Sequence, residues 1–281
     1  MLIFNNKAEL ATYLGPHIST NSTIGFVPTM GALHQGHLSL LERSVKENIL
    51  TVISIFVNPT QFNNTEDLEK YPRTLEVDVD KIKTVDENII IFAPSVHEMY
   101  DEDISSAAFS FDGLEVQMEG SHRPGHFDGV GTIVKKLFEI VRPTNAYFGE
   151  KDFQQLQIVK KLVKKQSMPV NIIGCPIHRE ANGLAMSSRN ERLSEDDRFK
   201  AALIYKTLEE IREKFKSESP KSIIKYVEDV FKEHPEFKLE YIELADEETL
   251  LPINDKENKK YRAFIAVFIS GIRLIDNISL N

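Results

Sequence analysis

The sequence contains very little cysteine and no tryptophan. Its 281 residues include a single cysteine, Cys175, which excludes an intramolecular disulfide. Such sparse use of cysteine is typical of reducing compartments, so we expect a cytoplasmic protein. Cys175 lies in the apolar run NIIGCPI, and this context predicts a buried, inert thiol rather than a nucleophile.

Long apolar runs and an excess of basic residues are also missing. The apolar runs are shorter than about ten residues, too short to span a bilayer, and the N-terminal MLIFNNKAEL has no signal-peptide pattern. A net charge of −9 and an isoelectric point near 5.5 argue against a general nucleic-acid binder. We therefore expect no membrane and no nucleic-acid partner, and an anionic ligand would need locally concentrated bases.

Three common active-site signatures are absent as well. The sequence has no G-x-x-x-x-G-K-[ST] phosphate loop and no G-x-S-x-G nucleophile elbow. The stretch GVGTIV at Gly129–Val134 lacks the third glycine of a dinucleotide fingerprint, and no strand directly precedes it. Any nucleotide site must therefore be built from other residues.

The chain does contain a repeated alternation of apolar strands and amphipathic helices. The run LTVISIFV at Leu50–Val57 is continuously apolar and rich in β-branched residues, as in a strand buried on both faces. The run TIGFVPTM at Thr23–Met30 predicts an earlier strand that stops at Pro28, with a helix starting near residue 36 or 37. This alternation predicts an α/β domain over residues 1–176, a Rossmann-like parallel sheet with helices on both faces.

The pattern changes beyond residue 176. The stretches EDDRFKAALIYKTLEEIREKF and SIIKYVEDVFKEH predict two amphipathic helices. The stretches FKLEYIELAD and YRAFIAVFISGIRLIDNISL have the alternating character of strands, and no helix separates them. We therefore predict a smaller α+β domain over residues 177–281.

The stretch PTMGALHQGH at Pro28–His37 is the first candidate for chemistry. A glycine-containing loop that ends a buried strand and opens a helix offers backbone N–H groups and a positive dipole end to phosphate. His34 and His37 are three positions apart, so both imidazoles can lie on one side of the first helical turn. Two alternatives compete: a plain turn with surface histidines, and a zinc site formed by this pair or by His122 and His126.

Two further stretches combine a turn with polar side chains. In FGEKDFQQ, Lys151 can pair with phosphate as a point charge, while Asp152 either caps a helix or holds an adenosine hydroxyl. In GLAMSSRNERLS, two serines and Arg189 predict a mobile phosphate clamp, with a plain polar turn as the alternative.

Three more stretches carry neutral donors, a carboxylate and a guanidinium. FVNPTQF places Asn58 and Gln61 after the second buried strand, where amides suit hydroxyl and amide groups better than phosphate. In YPRTLEVDVD, Asp78 either holds a magnesium ion or its water shell, or is charged helix surface. In HRPGHFDGV, Arg123 can meet a carboxylate through two hydrogen bonds.

Taken together, these stretches resemble the pantothenate synthetase family of pantoate–β-alanine ligases. The resemblance rests on PTMGALHQGH, FVNPTQF, YPRT, RPGHF, GEKDFQQ and REANGLAMSSRN, which occur in this order over nearly the whole chain. The first stretch also resembles the HIGH signature of the nucleotidylyltransferase superfamily, and MSSR stands where that superfamily has its KMSKS loop.

The resemblance implies an ATP-dependent reaction in two steps. The pantoate carboxylate attacks the α-phosphate of ATP to give pantoyl adenylate and pyrophosphate, and the amine of β-alanine then displaces AMP to give pantothenate. It further implies magnesium near Asp78, a homodimer, and a second domain that closes the ATP site. His37 is implied as the proton donor, although hydrogen bonding to a phosphate oxygen alone can suffice.

The resemblance also assigns binding roles to single positions. The residues implied to act in catalysis are His37, His34, Lys151 and Arg189. The nucleotide contacts are Met30, Gly31, Ala32, Leu33, His34, Gln35, Gly36, His37, Gly149, Glu150, Lys151, Asp152, Met186, Ser187, Ser188 and Arg189. Gln61 and Gln155 are implied to hold pantoate, and the acyl or amine pocket is implied to be lined by Asn58, Tyr71, Arg123 and His126.

Two positions depart from the family pattern. Asn182 stands where aspartate is expected, and His178 replaces an aliphatic residue, which puts nucleotide affinity in doubt if its side chain contacts adenine. Two other functions stay open at this point: a nucleotidyltransferase that leaves AMP on its product, and a non-catalytic nucleotide-binding regulator.

Overall fold

The computed structural model describes residues 1–62 and 65–281, which form two compact units. The first unit comprises Met1–Glu150 and Gln155–Pro176, and the second comprises Lys151–Gln154 and Ile177–Asn281. The short segment Lys151–Gln154 therefore groups with the C-terminal part of the chain. Among the described residues, no helix has both the length and the apolar character needed to cross a membrane.

The described residues of both units form the following strands and helices, which alternate through the first unit. The strands of the chain are β1 (Ile3–Phe4), β2 (Ile24–Thr29), β3 (Leu50–Ile55), β4 (Ile90–Phe92), β5 (Asn145–Gly149), β6 (Asn171–Cys175), β7 (Phe237–Asp246), β8 (Tyr261–Ile269) and β9 (Ile272–Ser279). The α-helices are α1 (Lys7–Ser19), α2 (Gln35–Glu47), α3 (Thr65–Glu69), α4 (Leu75–Lys83), α5 (Val96–Tyr100), α6 (Met118–His122), α7 (His126–Val141), α8 (Phe153–Lys165), α9 (Glu195–Lys200), α10 (Ala202–Lys214) and α11 (Pro220–Glu233). Short 3₁₀ helices cover Pro59–Gln61, Leu114–Val116, Glu150–Asp152 and Ser188–Arg192.

The first unit contains a six-stranded sheet in the order β1-β4-β3-β2-β5-β6. Its described strand pairs are all parallel, which confirms the predicted Rossmann-like α/β fold. The chain runs outward from β2 through β3 to β4 and then returns to place β5 on the other side of β2. Ligands of such sheets bind at the carboxyl ends of the strands where the order reverses, so the loops after β2 and β5 are the natural place for a site.

One predicted strand boundary in this sheet was wrong. Pro28 does not stop β2, because the parallel register with β3 continues through the pairs Pro28–Ser54 and Thr29–Ile55. The φ angle of proline, about −65°, falls at the edge of the broad β region, and proline lacks only one N–H donor, so it is tolerated at a strand end. The loop of interest therefore begins at Met30.

The second unit contains a three-stranded antiparallel sheet in the order β7-β8-β9, which confirms the predicted α+β character. The helix expected over residues 195–215 is divided into α9 and α10 at the buried Ala201. Here the Ile204 N–H donates to the Ala201 carbonyl, a tighter bond than the α-helical one. Strands β8 and β9 form a hairpin through Ser270 and Gly271, both with positive φ, as a tight hairpin turn requires.

Candidate active site

The loop after β2 presents two stacked histidines at the start of α2. His34 is the N-cap residue of α2, and its ring centroid lies 4.1 Å from that of His37. The His34 backbone N–H donates to Nδ1 of His37 at 3.3 Å. An Nδ1 atom that accepts this bond carries no proton, so the neutral imidazole of His37 holds its proton on Nε2. His37 is thereby prepared as a hydrogen-bond donor through Nε2.

Asp78 of α4 holds the same loop from its other side. This carboxylate is fully buried, and it accepts the Ala32 N–H at 2.9 Å on Oδ2 and the Leu33 N–H at 2.8 Å on Oδ1. Lys81, one turn along α4, donates to the Leu33 carbonyl at 2.6 Å. Ala32 has a φ of +51°, a conformation that side chains other than glycine rarely adopt, so these bonds compensate for a strained backbone. The amides of Ala32 and Leu33 are therefore used within the protein, and the first-turn amides of Gln35 and Gly36 are the ones that the helix N-terminus offers to an anion.

The predicted magnesium site at Asp78 does not fit this geometry well. Both carboxylate oxygens accept backbone N–H groups, and Oδ2 also accepts the Thr74 hydroxyl at 3.2 Å. Asp78 lines a cavity of about 310 Å³ together with Met30, Gly31 and Thr74. No group of three or more histidine, cysteine, aspartate or glutamate side chains suitable for a metal occurs within residues 1–62 and 65–281. The magnesium role of Asp78 stays a prediction, whereas its contacts to the loop are direct.

Gln61 lies beside this loop, in the 3₁₀ turn that follows β3. Its side-chain Oε1 accepts the Asn58 Nδ2–H at 3.2 Å, and its Nε2 donates to the sulfur of Met30 at 2.8 Å. Asn58 is 1% exposed and Gln61 is 8% exposed. The structure therefore brings together Met30, Asn58 and Gln61 from the loops after β2 and β3, as the order of the strands predicts.

Arg123 and His126 meet the backbone of Gln61. His126 Nδ1 lies 2.8 Å from the Gln61 carbonyl, and an Arg123 guanidinium nitrogen donates to the same carbonyl at 3.2 Å. A second guanidinium nitrogen of Arg123 lies 3.2 Å from His126 Nε2. Because a carbonyl only accepts, His126 donates from Nδ1 and accepts from Arg123 at Nε2. Tyr71, the remaining predicted pocket residue in this region, packs edge-on against Phe62 at 5.6 Å between ring centroids.

The end of β5 contributes polar groups to the first unit. Gly149 ends the strand, and Glu150 begins the 3₁₀ turn that leads into α8. Gln155 on α8 belongs to this unit and is half-buried.

Cys175 at the end of β6 is a free, buried thiol, as predicted, and burial raises its pKa above the ordinary value. A buried protonated thiol is a poor nucleophile, which agrees with an inert role.

The second unit fixes the turn that carries Lys151. Asn277 of β9 donates from its side chain to the Lys151 carbonyl at 2.8 Å. Arg262 of β8 donates to the Asn277 side-chain oxygen at 2.7 Å and stacks over the ring of Phe153 at 4.0 Å. The Lys151 ammonium lies 3.5 Å from Asp152 Oδ1. Lys151 and Asp152 are thus presented by strands β8 and β9.

Strand β9 also anchors the segment that leads into residues 186–189, which we call the serine–arginine loop. Arg179 forms two hydrogen bonds to Asp276, at 2.6 and 3.0 Å, and stacks over the ring of Tyr205 at 3.7 Å. Burial raises the pKa of Asp276, although the guanidinium of Arg179 opposes this shift. Within the loop, the Ser187 hydroxyl accepts the Arg189 N–H at 3.2 Å and caps the turn that contains Ser188. Met186 and the residues 187–189 are half-buried rather than fully exposed.

The structure accommodates both departures from the family pattern. The Asn182 side-chain oxygen accepts the Leu184 N–H at 3.1 Å, and its Nδ2 donates to the Arg198 carbonyl at 3.1 Å. An aspartate oxygen would make the first of these bonds, so asparagine preserves the turn and adds a second bond. The His178 carbonyl accepts the Met186 N–H at 3.0 Å, a backbone contact that any side chain at position 178 allows.

Several residues that support the candidate site residues of their own unit have no recognisable motif in the sequence. Tyr100 supports Asn58 in the first unit, and the second unit contributes Arg262, Asp276 and Asn277. Their hydrogen-bond partners identify them only once the fold is known. The polar pair Asp276–Asn277 inside the apolar strand β9 was the one available signal, because buried polar side chains require partners.

Comparison with known proteins places this geometry in a family. The model of the family described as pantoate-beta-alanine ligase matches residues 2–279. The chain belongs to this family. Similar proteins include the pantothenate synthetases of Flavobacterium psychrophilum, 62% identical over 281 residues, and of Christiangramia forsetii, 52% identical over 282 aligned positions, each with the full length of both chains covered.

Solved structures of the pantoate–β-alanine ligase family share the fold. The pantothenate synthetase of Thermus thermophilus is 40% identical and superposes with a TM-score of 0.92, covering 100% of this chain and 99% of its own. The ligase of Francisella tularensis, in complex with beta-gamma ATP and β-alanine, is 36% identical with a TM-score of 0.83, covering 100% and 98%. The family resemblance inferred from the sequence motifs is confirmed.

Proposed function

We propose that this protein condenses pantoate with β-alanine to form pantothenate, using ATP and releasing AMP and pyrophosphate. The observation that carries the proposal is the family match over residues 2–279, together with a loop after β2 that presents His34 and His37 at a helix start. The Francisella relative, solved with beta-gamma ATP and β-alanine, supports two of the three substrates.

In the first step, the pantoate carboxylate attacks the α-phosphate of ATP, and pyrophosphate leaves. Negative charge develops on the phosphate oxygens, so fixed donors aimed at them contribute most to the rate. We assign this role to Nε2–H of His37, supported by His34 and the first-turn amides of α2. The cationic side chains of Lys151 and Arg189 are the proposed partners of the phosphate chain. The remaining nucleotide contacts stay as the family resemblance implies.

In the second step, the amine of β-alanine attacks the acyl carbon of pantoyl adenylate, and AMP leaves. The main requirement is that the adenylate and the amine are held side by side while water is kept out. We propose that Gln61 and Gln155 bind pantoate. The proposed lining of the acyl and amine pocket comprises Asn58, Tyr71, Arg123 and His126.

Magnesium, a homodimer and a cytoplasmic location are further proposals. Magnesium is held in most ATP-using enzymes through substrate phosphates and few protein ligands, so it needs no dedicated cage here. Asp78 does not fit as a direct ligand, and we derive no step through the metal. The cytoplasmic location is supported by the requirement for ATP. Light scattering of the purified protein tests the homodimer.

One assay tests the proposed reaction. The protein is incubated with ATP, Mg²⁺, pantoate and β-alanine, with each component omitted in turn, and AMP, ADP, pyrophosphate and pantothenate are measured. We expect AMP and pantothenate in equal amounts, only in the complete mixture. Formation of ADP, or AMP release without the amine requirement, contradicts the proposal. A product that retains AMP indicates a nucleotidyltransferase, and ATP binding without turnover indicates a regulator.

A further inference from the structure

A buried hydrogen-bond relay ends on the side chain of Gln61. It begins at the Gly129 carbonyl on α7, which accepts the Asn58 Nδ2–H at 3.2 Å. The same Nδ2 donates to Gln61 Oε1 at 3.2 Å. On the other side of the Asn58 amide, its Oδ1 accepts the Tyr100 hydroxyl at 2.6 Å and the Thr60 hydroxyl at 3.2 Å.

The relay fixes the orientation of both amide groups. A backbone carbonyl can only accept, so Asn58 must turn its NH₂ group toward Gly129 and its oxygen toward Tyr100. Gln61 must then offer its oxygen to Asn58. A flipped Gln61 would place its own NH₂ group against the NH₂ group of Asn58. The network therefore permits one orientation, in which Gln61 Nε2 faces away from Asn58 as a donor.

The present acceptor of that donor is the sulfur of Met30 at 2.8 Å. A thioether sulfur is a weak acceptor, so a substrate oxygen can replace it with a net gain. Met30 belongs to the loop proposed to bind ATP, so the Gln61 amide lies beside the first residue of that loop. Tyr100 can serve as the donor in this arrangement, and burial raises the pKa of its phenol above the ordinary value.

We infer that Tyr100 is a positioning residue for pantoate, acting through Asn58 to hold the Gln61 amide as an N–H donor toward a hydroxyl or carboxylate oxygen. Tyr100 ends α5 and is 4% exposed, so it acts on the substrate through Asn58 and Gln61 rather than by contact. The inference deepens the proposed function, because it rests on Gln61 as the pantoate contact. It adds a specificity rule: the site selects an oxygen acceptor at this position over an N–H donor.

The test compares two tyrosine-to-phenylalanine variants in the full chain. Tyr100→Phe removes the hydroxyl that faces Asn58. The matched control is Tyr147→Phe, which removes a buried hydroxyl that donates to Glu47 at 2.9 Å and accepts from Asn48 at 2.7 Å, at the opposite end of α2 from His37. The Tyr100 hydroxyl also lies 3.1 Å from the Thr60 hydroxyl, so each variant loses two hydrogen-bond contacts within the first unit. A general loss of stability would therefore affect both variants.

We expect Tyr100→Phe to raise the KM for pantoate about 5- to 10-fold, the effect of one net hydrogen bond, and to leave the KM for ATP within about twofold. Tyr147→Phe should leave both KM values within about twofold. The double variant Tyr100→Phe/Thr60→Val deprives Asn58 Oδ1 of both hydroxyl donors and should raise the KM for pantoate further.

Two outcomes would overturn the inference. An unchanged KM for pantoate in Tyr100→Phe shows that Tyr100 does not position the proposed pantoate contact. An equal rise in both KM values shows a merely structural role. Failure of the proposed function itself is visible separately, because the wild-type protein would then make no pantothenate in the same assay.

Discussion

At the scale of single residues, the bond from the His34 amide to His37 Nδ1 decides how His37 can act. A neutral ring with its proton on Nε2 can share that proton with a phosphate oxygen. Full protonation of the ring would require a proton on Nδ1, which would break the bond to the His34 N–H. Pyrophosphate is a good leaving group, so a shared proton is sufficient for its departure.

This tautomer leads to a graded prediction for substitutions of His37. His37→Ala should lower kcat by about 10²–10³, roughly 2.7–4 kcal/mol, as when one donor to a developing oxyanion is removed. His37→Gln retains an N–H donor near the position of Nε2, so we expect its kcat to exceed that of His37→Ala by about tenfold. The kcat of each variant is measured by steady-state kinetics. Equal losses in the two would show that proton transfer, rather than hydrogen bonding, is required.

Asp78 gives a second prediction at this scale. Asp78→Asn replaces one acceptor oxygen with a donor, so either the Ala32 or the Leu33 N–H loses its buried partner, at a cost of about 1–3 kcal/mol. We expect a lower melting temperature and a higher KM for ATP, with an unchanged dependence of the rate on Mg²⁺ concentration. A shifted Mg²⁺ dependence with normal stability would instead support the role of Asp78 at the metal.

At the scale of elements, the approach of α7 to the turn Pro59–Gln61 positions Gln61, the proposed pantoate contact. A Cβ atom on Gly129 would lie 2.3 Å from the Thr60 carbonyl oxygen and 2.8 Å from Gln61 Cα, and both neighbours are backbone. A side chain at position 129 must therefore displace the turn.

The prediction for this contact uses two glycine variants. Gly129→Ala should destabilise the fold by about 1–3 kcal/mol and raise the KM for pantoate, because overpacking shifts the backbone of Gln61. Gly15→Ala in α1 has open space around the new methyl group, so it should be neutral or stabilising by up to about 1 kcal/mol. The melting temperature and the KM for pantoate are measured for both glycine variants. A Gly129→Ala protein with normal stability and KM would contradict the close packing.

Most elements could be predicted from the sequence, because continuous apolar runs and helical spacing are local signals. Pro28 misled the prediction of β2, since a strand end tolerates a missing N–H that a strand centre does not. The positions of Gln61, Asn58 and His37 followed from the rule that parallel strands present their ends at one edge. The partners of these residues could not be predicted: Tyr100 and Gly129 lie 42 and 71 positions from Asn58, and only the fold brings them together.

At the scale of the whole molecule, the proposed nucleotide contacts are divided between the two units. His34 and His37 belong to the first, whereas Lys151 and Arg189 belong to the second. The chain carries a net charge of −9, so its affinity for a polyanion depends on these few cationic and N–H donors rather than on its overall field.

This division predicts the response of the melting temperature to a non-hydrolysable ATP analogue. At about one hundred times its Kd, the analogue should stabilise the wild-type protein by about 2.7 kcal/mol, which corresponds to roughly 5 °C for a chain of this size. His37→Ala and Arg189→Ala should each reduce the shift, because each removes a proposed contact with the bound nucleotide. Tyr147→Phe should melt earlier without ligand and still show the full shift. A full shift in Arg189→Ala would mean that the Arg189 side chain does not contact the nucleotide.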